Sequence, residues 1–429
     1  MRMLALLAVL AASLLAVSAL GQPIFDYVAA PDDSFTWEVT GSTAAADGGS
    51  VTTLDMISQK WQGGEWKHRI AIARPALVKH PELCVLVITG GNPVGAEFAL
   101  ATLIANMIGM PIAVLGDIPN QPLFDGLRED AAISYTFTKY LETGDASWPL
   151  LFPMTKAAVR AMDAIQGLSE RDWGKKVDGF VVTGGSKRGW TTWFTGEVDQ
   201  RVKGIAPMVY DNLNLPAQMA HHLRQWGAYS EQIDDYTKRG LPDMLAGEEG
   251  RALSTIVDPY TYRDRATMPK LIIAGTNDPY WPLGAADNYF TELPEPRRIL
   301  YVPNSGHGLD DRVRVLNGLA GFVATIAGEA KLPQLSWTVD EDDAGVTVCG
   351  RSDTEPKKVL AWTATSPTSD FRKAKWESVE VEPKQGSFGH LLETPQEGYA
   401  ALFLEFTFDF RGRDFPLSTL IRMIGAKGE

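Results

Sequence analysis

The stretch VDGFVVTGGSKRGWTTW, Val177 to Trp193, decides the reading of the chain. An apolar run, Phe180-Val181-Val182, feeds Thr183-Gly184-Gly185-Ser186-Lys187-Arg188-Gly189, and then Trp190, Trp193 and Phe194 recur at helix-compatible spacing. The pattern predicts a strand, a tight turn and a helix. Glycines tolerate the backbone strain of such a turn, so a serine lifted between them matches a nucleophile elbow. The usual spacing is G-x-S-x-G; here Gly184 and Ser186 keep it, and the second glycine falls one place later, at Gly189. Taken alone, these residues also suit an ordinary strand-to-helix turn whose serine caps the helix. An acid and a histidine at matching places elsewhere would separate the two.

On the N-terminal side, His68 to Ala73 alternates as a half-buried strand should, and Leu83 to Ile88 is a continuous apolar run expected to be buried on both faces. That run ends in Thr89-Gly90-Gly91-Asn92-Pro93 and is followed by a helical AEFALATLIANMIG. A strand from Met110 to Leu115 and helices from Asp130 to Leu141 and from about Pro153 to Gly167 lead to the elbow. On its C-terminal side, strands are expected at Val202 to Val209, Lys270 to Gly275 and Arg298 to Val302, with helices at Ala285 to Leu293 and about Asp311 to Ala330. Strands alternating with helices imply an α/β fold with a doubly wound, mostly parallel sheet. The alternation breaks between 211 and 265, a helical and aromatic insertion read as a cap over the strand ends, or else as an extra packed layer. After Pro333 the period changes to that of strands, and 333–429 is read as a separate β-sandwich. Residues before Pro333 are expected to fold without it.

Two further loops carry the chemistry. Gly275-Thr276-Asn277-Asp278-Pro279-Tyr280-Trp281 follows one strand, and Pro303-Asn304-Ser305-Gly306-His307-Gly308 follows the next. The chain order Ser186, Asp278, His307, with each residue at a strand's carboxyl end, is that of an α/β hydrolase. A serine hydroxyl needs a base in reach, and the base needs an orienting acid. His307 is therefore the candidate base and Asp278 the acid, with Asp211, one strand earlier, as the rival acid. The backbone N–H of Lys187 and that of Gly91 are the candidate oxyanion donors. Lys187 and Arg188 beside the serine suggest either a bound anionic group or a carboxylate partner inside the fold. Arg188, Trp190, Trp226, Tyr280 and Trp281 are candidate pocket walls, although aromatics near an elbow also serve as core.

On these residues the chain resembles the PhoPQ-activated pathogenicity-related protein family. The likeness runs through DYVAAPDDSFTW, SQKWQ, VLVITGGN, VTGGSKRGWTTWFTGEVDQRVKGIAPMVYDNLN, IIAGTNDPYWP, PNSGHGL and KKVLAWTATSPTSDFRKAKW, nearly the whole of the mature chain. The resemblance implies a hydrolase fold with a C-terminal β-sandwich and a retained Ser186, Asp278 and His307. It implies no substrate, and some relatives look like secreted signalling or regulatory proteins. GGSKRG is also similar to the elbow of glucuronoyl esterases, where a basic residue follows the serine.

Composition bounds the rest. The 429 residues are 45% hydrophobic and 22% charged, with a net charge of −13 and a pI near 5.1. The acidity, without a basic block, argues against nucleic acid and anionic membrane surfaces as partners. Residues 1–21 read as a secretory signal peptide: Arg2, an apolar run from Met3 to Val17, then the cleavage box Ala19-Leu20-Gly21. The mature chain has no other run approaching the ~20 residues of a membrane span. Cys84 and Cys349 leave a disulfide open. No metal-binding spacing is present, and no cofactor is expected. Two readings follow: an exported serine hydrolase acting on small or polymer-linked esters or on peptides, and a catalytically silent signalling or binding protein on a hydrolase scaffold.

Overall fold

The computed structural model describes residues 22–45, 48–245 and 247–427, without the side chains of residues 96, 97, 248 and 249. The expected signal peptide lies outside the described residues. Among them no helix is long and apolar enough to cross a membrane, and no group of three or more His, Cys, Asp or Glu side chains is placed to hold a metal ion.

A short helix, α1 (Pro23–Ala29), precedes three antiparallel strands, β1 (Thr36–Ala44), β2 (Ser50–Trp61) and β3 (Gly64–Arg74). The next elements are β4 (Leu83–Ile88), α2 (Ala96–Ile108), β5 (Ile112–Leu115), α3 (Glu129–Thr143), α4 (Leu151–Asp172), β6 (Gly179–Gly185), α5 (Lys187–Val198) and β7 (Val202–Met208). The cap follows, built from α6 (Leu215–Trp226), α7 (Asp234–Thr237), α8 (Leu241–Met244) and α9 (Glu248–Val257) with short 3₁₀ turns between and after them. Strand β8 (Lys270–Gly275), strand β9 (Arg297–Val302) and α10 (Arg312–Ile326) complete this part. The main sheet runs β1-β2-β3-β5-β4-β6-β7-β8-β9, with β5 through β9 parallel. The α/β-hydrolase architecture is thus present. Strands such as β6, buried on both faces, read as uninterrupted apolar runs because helices cover each side.

One expected element is absent. The helix read over Ala285 to Leu293 is instead two 3₁₀ turns, Ala285–Asn288 and Phe290–Glu292. Tyr289 breaks between them at φ −152°. Its ring points inward, where it is 1% exposed and its hydroxyl donates to Asp211 at 2.6 Å.

The C-terminal region is antiparallel, as its alternation predicts. Strands β10 (Leu335–Asp342), β11 (Gly345–Ser352) and β14 (Phe388–Glu393) form a three-stranded sheet. This sheet faces β12 (Lys358–Ser366), β13 (Glu377–Glu380), β15 (Tyr399–Phe410), β16 (Arg413–Ser418) and β17 (Arg422–Gly425), and Gly350 lies so close to Phe406 that a Cβ there would meet the ring at 2.7 Å. The larger layer is not detached, because β16 continues the main sheet beside β9 through the pair Ser418 and Ile299. Phe415 of β16 also packs on α10 at Gly321. Buried Phe371, Trp376 and Phe403 share one apolar cluster with Trp190, Phe194 and Ile272 of the hydrolase part. Removing the tail would expose both the β9 edge and this apolar surface. A chain ending at residue 332 is therefore expected to be insoluble, against the sequence-based expectation of independent folding. Soluble yield and gel filtration test this, and a monodisperse truncation would support the two-domain expectation. Cys84 and Cys349 are both unpaired, Cys84 fully buried in β4.

Candidate active site

The turn from β6 into α5 places Ser186 at φ 57°, ψ −126°, a conformation that side-chain-bearing residues adopt only at a cost. Two backbone bonds hold it: Ser186 N–H donates to Met208 O at 2.9 Å, and Ser186 O accepts from Trp190 N–H at 3.0 Å. The displaced glycine now has a reason. A Cβ on Gly189 would lie 2.9 Å from Met208 O and 3.0 Å from Tyr210 Cβ, so α5 needs a glycine there to pack on the end of β7. Gly184 is equally confined, at 2.8 Å from Arg188 O.

Asp278, 5% exposed, follows β8, and His307 follows β9. His307 Nδ1 meets the Asp278 carboxylate at 2.8 and 3.1 Å, and Tyr280 N–H donates to the same carboxylate at 2.8 Å. With Nδ1 so engaged, the proton-accepting nitrogen is Nε2, which is buried and has no hydrogen-bond partner. The Tyr280 ring stacks on the imidazole, centroids 4.0 Å apart and planes 28° from parallel. Tyr280 also shares a cavity of about 60 Å³ with Ser186, walled by Trp190, Tyr210, Tyr236 and Trp281 under the cap. A larger cavity of about 360 Å³, mostly apolar, starts at His307, Gly90 and Arg188 and runs between the sheet and helices α2 and α10.

The rival acid is placed elsewhere. Asp211 is 6% exposed and accepts from Tyr289, while His307 Nδ1 pairs with Asp278. Burial pushes its carboxyl up to about 7, against the lowering effect of the Tyr289 hydroxyl.

Lys187 and Arg188 are both neutralised within the fold. Arg188 donates to both Glu129 oxygens at 2.7 Å and to Ile118 O at 2.6 Å. Lys187 Nζ lies 3.0 Å from Glu129 and 3.1 Å from Asp130, and Asp130 accepts a further bond from Tyr236 at 3.0 Å. Burial works to raise the Glu129 carboxyl, but the two cations override it and hold it at about 2. Gly90 exists for this arrangement, since a Cβ there would sit 1.9 Å from the Arg188 guanidinium. Neighbouring Gly91 has open space around it, and its N–H reaches Thr89 Oγ1 only at 3.5 Å. The N–H of Lys187 is the first of α5 and has no acceptor within the helix.

Of the expected pocket walls, Trp190 and Trp281 line the cavity with Ser186, and Arg188 faces its carboxylate instead. Trp226 is turned away, under the guanidinium of Arg372 at 4.3 Å. Glu129, Asp130, Tyr210 and Tyr236 were not singled out from sequence. The only signal for the acids was the demand of two adjacent cations for partners.

Buried titratable groups give the molecule an offset pH response. Burial raises Asp211 and Asp258 to about 7, and burial lowers His68 and His222 to about 4. A raised carboxyl means the folded state binds more protons than the unfolded chain between pH ~4 and ~7, so its stabilisation is full below ~4 and lost as pH rises through ~7. A depressed histidine gives the opposite slope between ~4 and ~6.5. Asp211→Asn removes one falling contribution, worth at most about 1.4 kcal/mol per pH unit. The melting temperature of Asp211→Asn relative to the parent is expected to climb from pH 4 to 7; a constant difference across that range would refute the assignment.

Comparison with known proteins bears on the fold and the family. An acetyl xylan esterase from Paenibacillus sp. R4 superposes with a TM-score of 0.50 at 14% identity, over 72% of this chain and 93% of that one, a likeness of fold. An S-formylglutathione hydrolase from Agrobacterium tumefaciens gives 0.44 at 14% identity, over 68% of this chain and 99% of that one. In sequence, the autocrine proliferation repressor protein A of Dictyostelium discoideum is 32% identical over 91% of this chain and 87% of its own length. The family model for the PhoPQ-activated pathogenicity-related protein matches residues 24–372, from α1 through the hydrolase sheet and into the C-terminal strands. Matched by the family model over most of its length and by a 32% identical relative, the chain belongs to the PhoPQ-activated pathogenicity-related proteins.

Proposed function

We propose that the protein is a serine hydrolase of small, uncharged esters, with Ser186 as nucleophile, His307 as base and Asp278 as the orienting acid. The observation that carries this reading is the pairing of His307 Nδ1 with Asp278 while Nε2 stays buried and unpartnered. Nε2 takes the proton of Ser186 Oγ as that oxygen attacks the ester carbonyl, and then returns it to the leaving alcohol. Asp278 fixes the tautomer and stabilises the imidazolium formed in between. The Lys187 N–H supplies one oxyanion donor, each donor being worth ~3 kcal/mol. The loosely held Gly91 N–H supplies the second.

Charge and size narrow the substrate. Both cations beside the serine are already paired, which supports a neutral group at the reaction centre rather than a glucuronate. The cap-side cavity of about 60 Å³ suits a short acyl group, and a sugar or polymer alcohol would extend outward from it. The signal-like N-terminus supports action after export.

The reading is tested with aryl esters of increasing acyl length, acetylated and glucuronoyl sugar esters and peptide anilides, together with fluorophosphonate labelling mapped by mass spectrometry. Turnover of short neutral esters and a label on Ser186 are expected. A second reading has one observation in its favour, that the 32% identical relative is named a proliferation repressor. Absence of both turnover and label would leave that reading, a binding or signalling protein, in place.

A further inference from the structure

The connection between β12 and β13, residues 367–376, leaves the C-terminal layer and crosses to the loops that carry Asp278 and His307. Asn277, directly before the acid, donates through Nδ2 to three carbonyls of this strap: Ala374 at 2.7 Å, Phe371 at 3.1 Å and Arg372 at 3.4 Å. Its Oδ1 accepts from Thr276 Oγ1 at 2.7 Å, so the amide's orientation is fixed from both ends. Asn304, three residues before the histidine, makes a two-way bond with Trp376: Nδ2 donates to Trp376 O at 2.9 Å and Oδ1 accepts from Trp376 N–H at 2.8 Å. The two loops are also tied to each other, through Asn277 N–H to Ser305 O at 2.9 Å and Asn304 N–H to Thr276 Oγ1 at 3.0 Å. Phe371 and Trp376, each 2% exposed, anchor the strap in the shared core.

The strap reaches the cap as well. Ser369 Oγ donates to Gln225 O at 2.5 Å, and Arg372 lies over Trp226 and pairs with Glu231 at 3.1 Å. From the cap, Ser230 Oγ returns to Pro279 O, next to the acid, at 2.7 Å. Acid loop, histidine loop and cap therefore converge on one short segment of the tail. Loops are the mobile parts of a fold, and an error of about 1 Å in a reacting group costs about 10²-fold in rate.

We propose that the 367–376 strap is a positioning element of the active site, with Asn277 and Asn304 as positioning residues that hold Asp278 and His307 in register. The C-terminal layer is then part of the catalytic apparatus rather than an appended module. The proposal rests on the reading of Asp278 and His307 as acid and base.

The test uses the full chain with Asn277→Ala, Asn304→Ala and the near-isosteric Asn277→Asp, which turns a carboxylate toward the strap carbonyls and keeps the Thr276 contact. Each is made alone and on an Asp278→Asn background. The single variants are expected to lower kcat about 10- to 100-fold with KM within about twofold. On the Asp278→Asn background they are expected to add less than about twofold, because residues acting through one unit are not additive. The downfield His307 Nδ1–H proton resonance is expected to broaden or shift in all three single variants. Multiplicative losses in the double variants, or an unmoved resonance in Asn277→Asp, would overturn the proposal. If the parent neither turns over esters nor labels at Ser186, the hydrolase reading fails separately, and the response of the His307 resonance still decides for or against the strap.

Discussion

Asp278→Asn is expected to lower kcat about 10⁴-fold, the cost of presenting the base in the wrong tautomer, while Asp211→Asn leaves it within about threefold. The contrast follows from the two partners. Asp278 accepts from His307 Nδ1 at 2.8 Å, and an asparagine there offers either a poorer acceptor or an N–H donor that reverses the imidazole's polarity. Asp211 accepts from the Tyr289 hydroxyl, and an asparagine carbonyl accepts the same bond. Its carboxyl, raised to about 7 by burial, is already largely protonated in mildly acidic solution, so the amide replaces a group of similar charge. Steady-state kinetics on a short-chain aryl ester, with thermal melts as a folding control, separate the two. A larger loss in Asp211→Asn would move the acid one strand back and detach His307 from the proposed role.

The sequence carried most of the scaffold because the decisive signals were local. A buried apolar strand followed by a glycine-flanked serine identifies β6, the tight turn and α5 without reference to any other segment. Strand-end placement likewise located the two loops that carry Asp278 and His307, whose side chains the structure brings together. What escaped was the part set by distant pairing. Glu129 lies 59 residues from Arg188, and the strap carbonyls lie 94 to 97 residues from Asn277. Nothing in Gly275-Thr276-Asn277-Asp278 distinguishes an asparagine that bridges two layers from one that merely turns the chain. The tail's alternation was legible, whereas its edge-to-edge junction with β9 rests on a single registered pair and a side-chain bond from Tyr301 N–H to Ser418 Oγ. The missing helix near Tyr289 has the same origin, since its local pattern yielded to a buried hydroxyl bond formed with a residue 78 positions away.

Ser186→Gly is expected to lower kcat about 10⁶-fold and to raise the melting temperature. The first effect is the loss of the nucleophile; what remains is the catalysis that oxyanion donors and binding alone provide, ~10³–10⁴ over water. The second comes from the backbone. Ser186 sits at φ 57°, ψ −126°, outside the regions open to a residue with a Cβ, and such strain costs about 1–3 kcal/mol. Glycine populates positive φ freely, so it removes that strain, less the roughly 0.5–1 kcal/mol of extra entropy it gives the unfolded chain. Ser186→Ala serves as the control, because it removes the hydroxyl and keeps the Cβ. Its activity is expected to match that of the glycine variant while its melting temperature stays near that of the parent. On the proposed reading, a serine kept at a strained position against its own stability is held there by the chemistry it performs. Gly gaining no stability over Ala would mean that the turn is relaxed and that this inference fails. Activity surviving in both variants would place the nucleophile elsewhere.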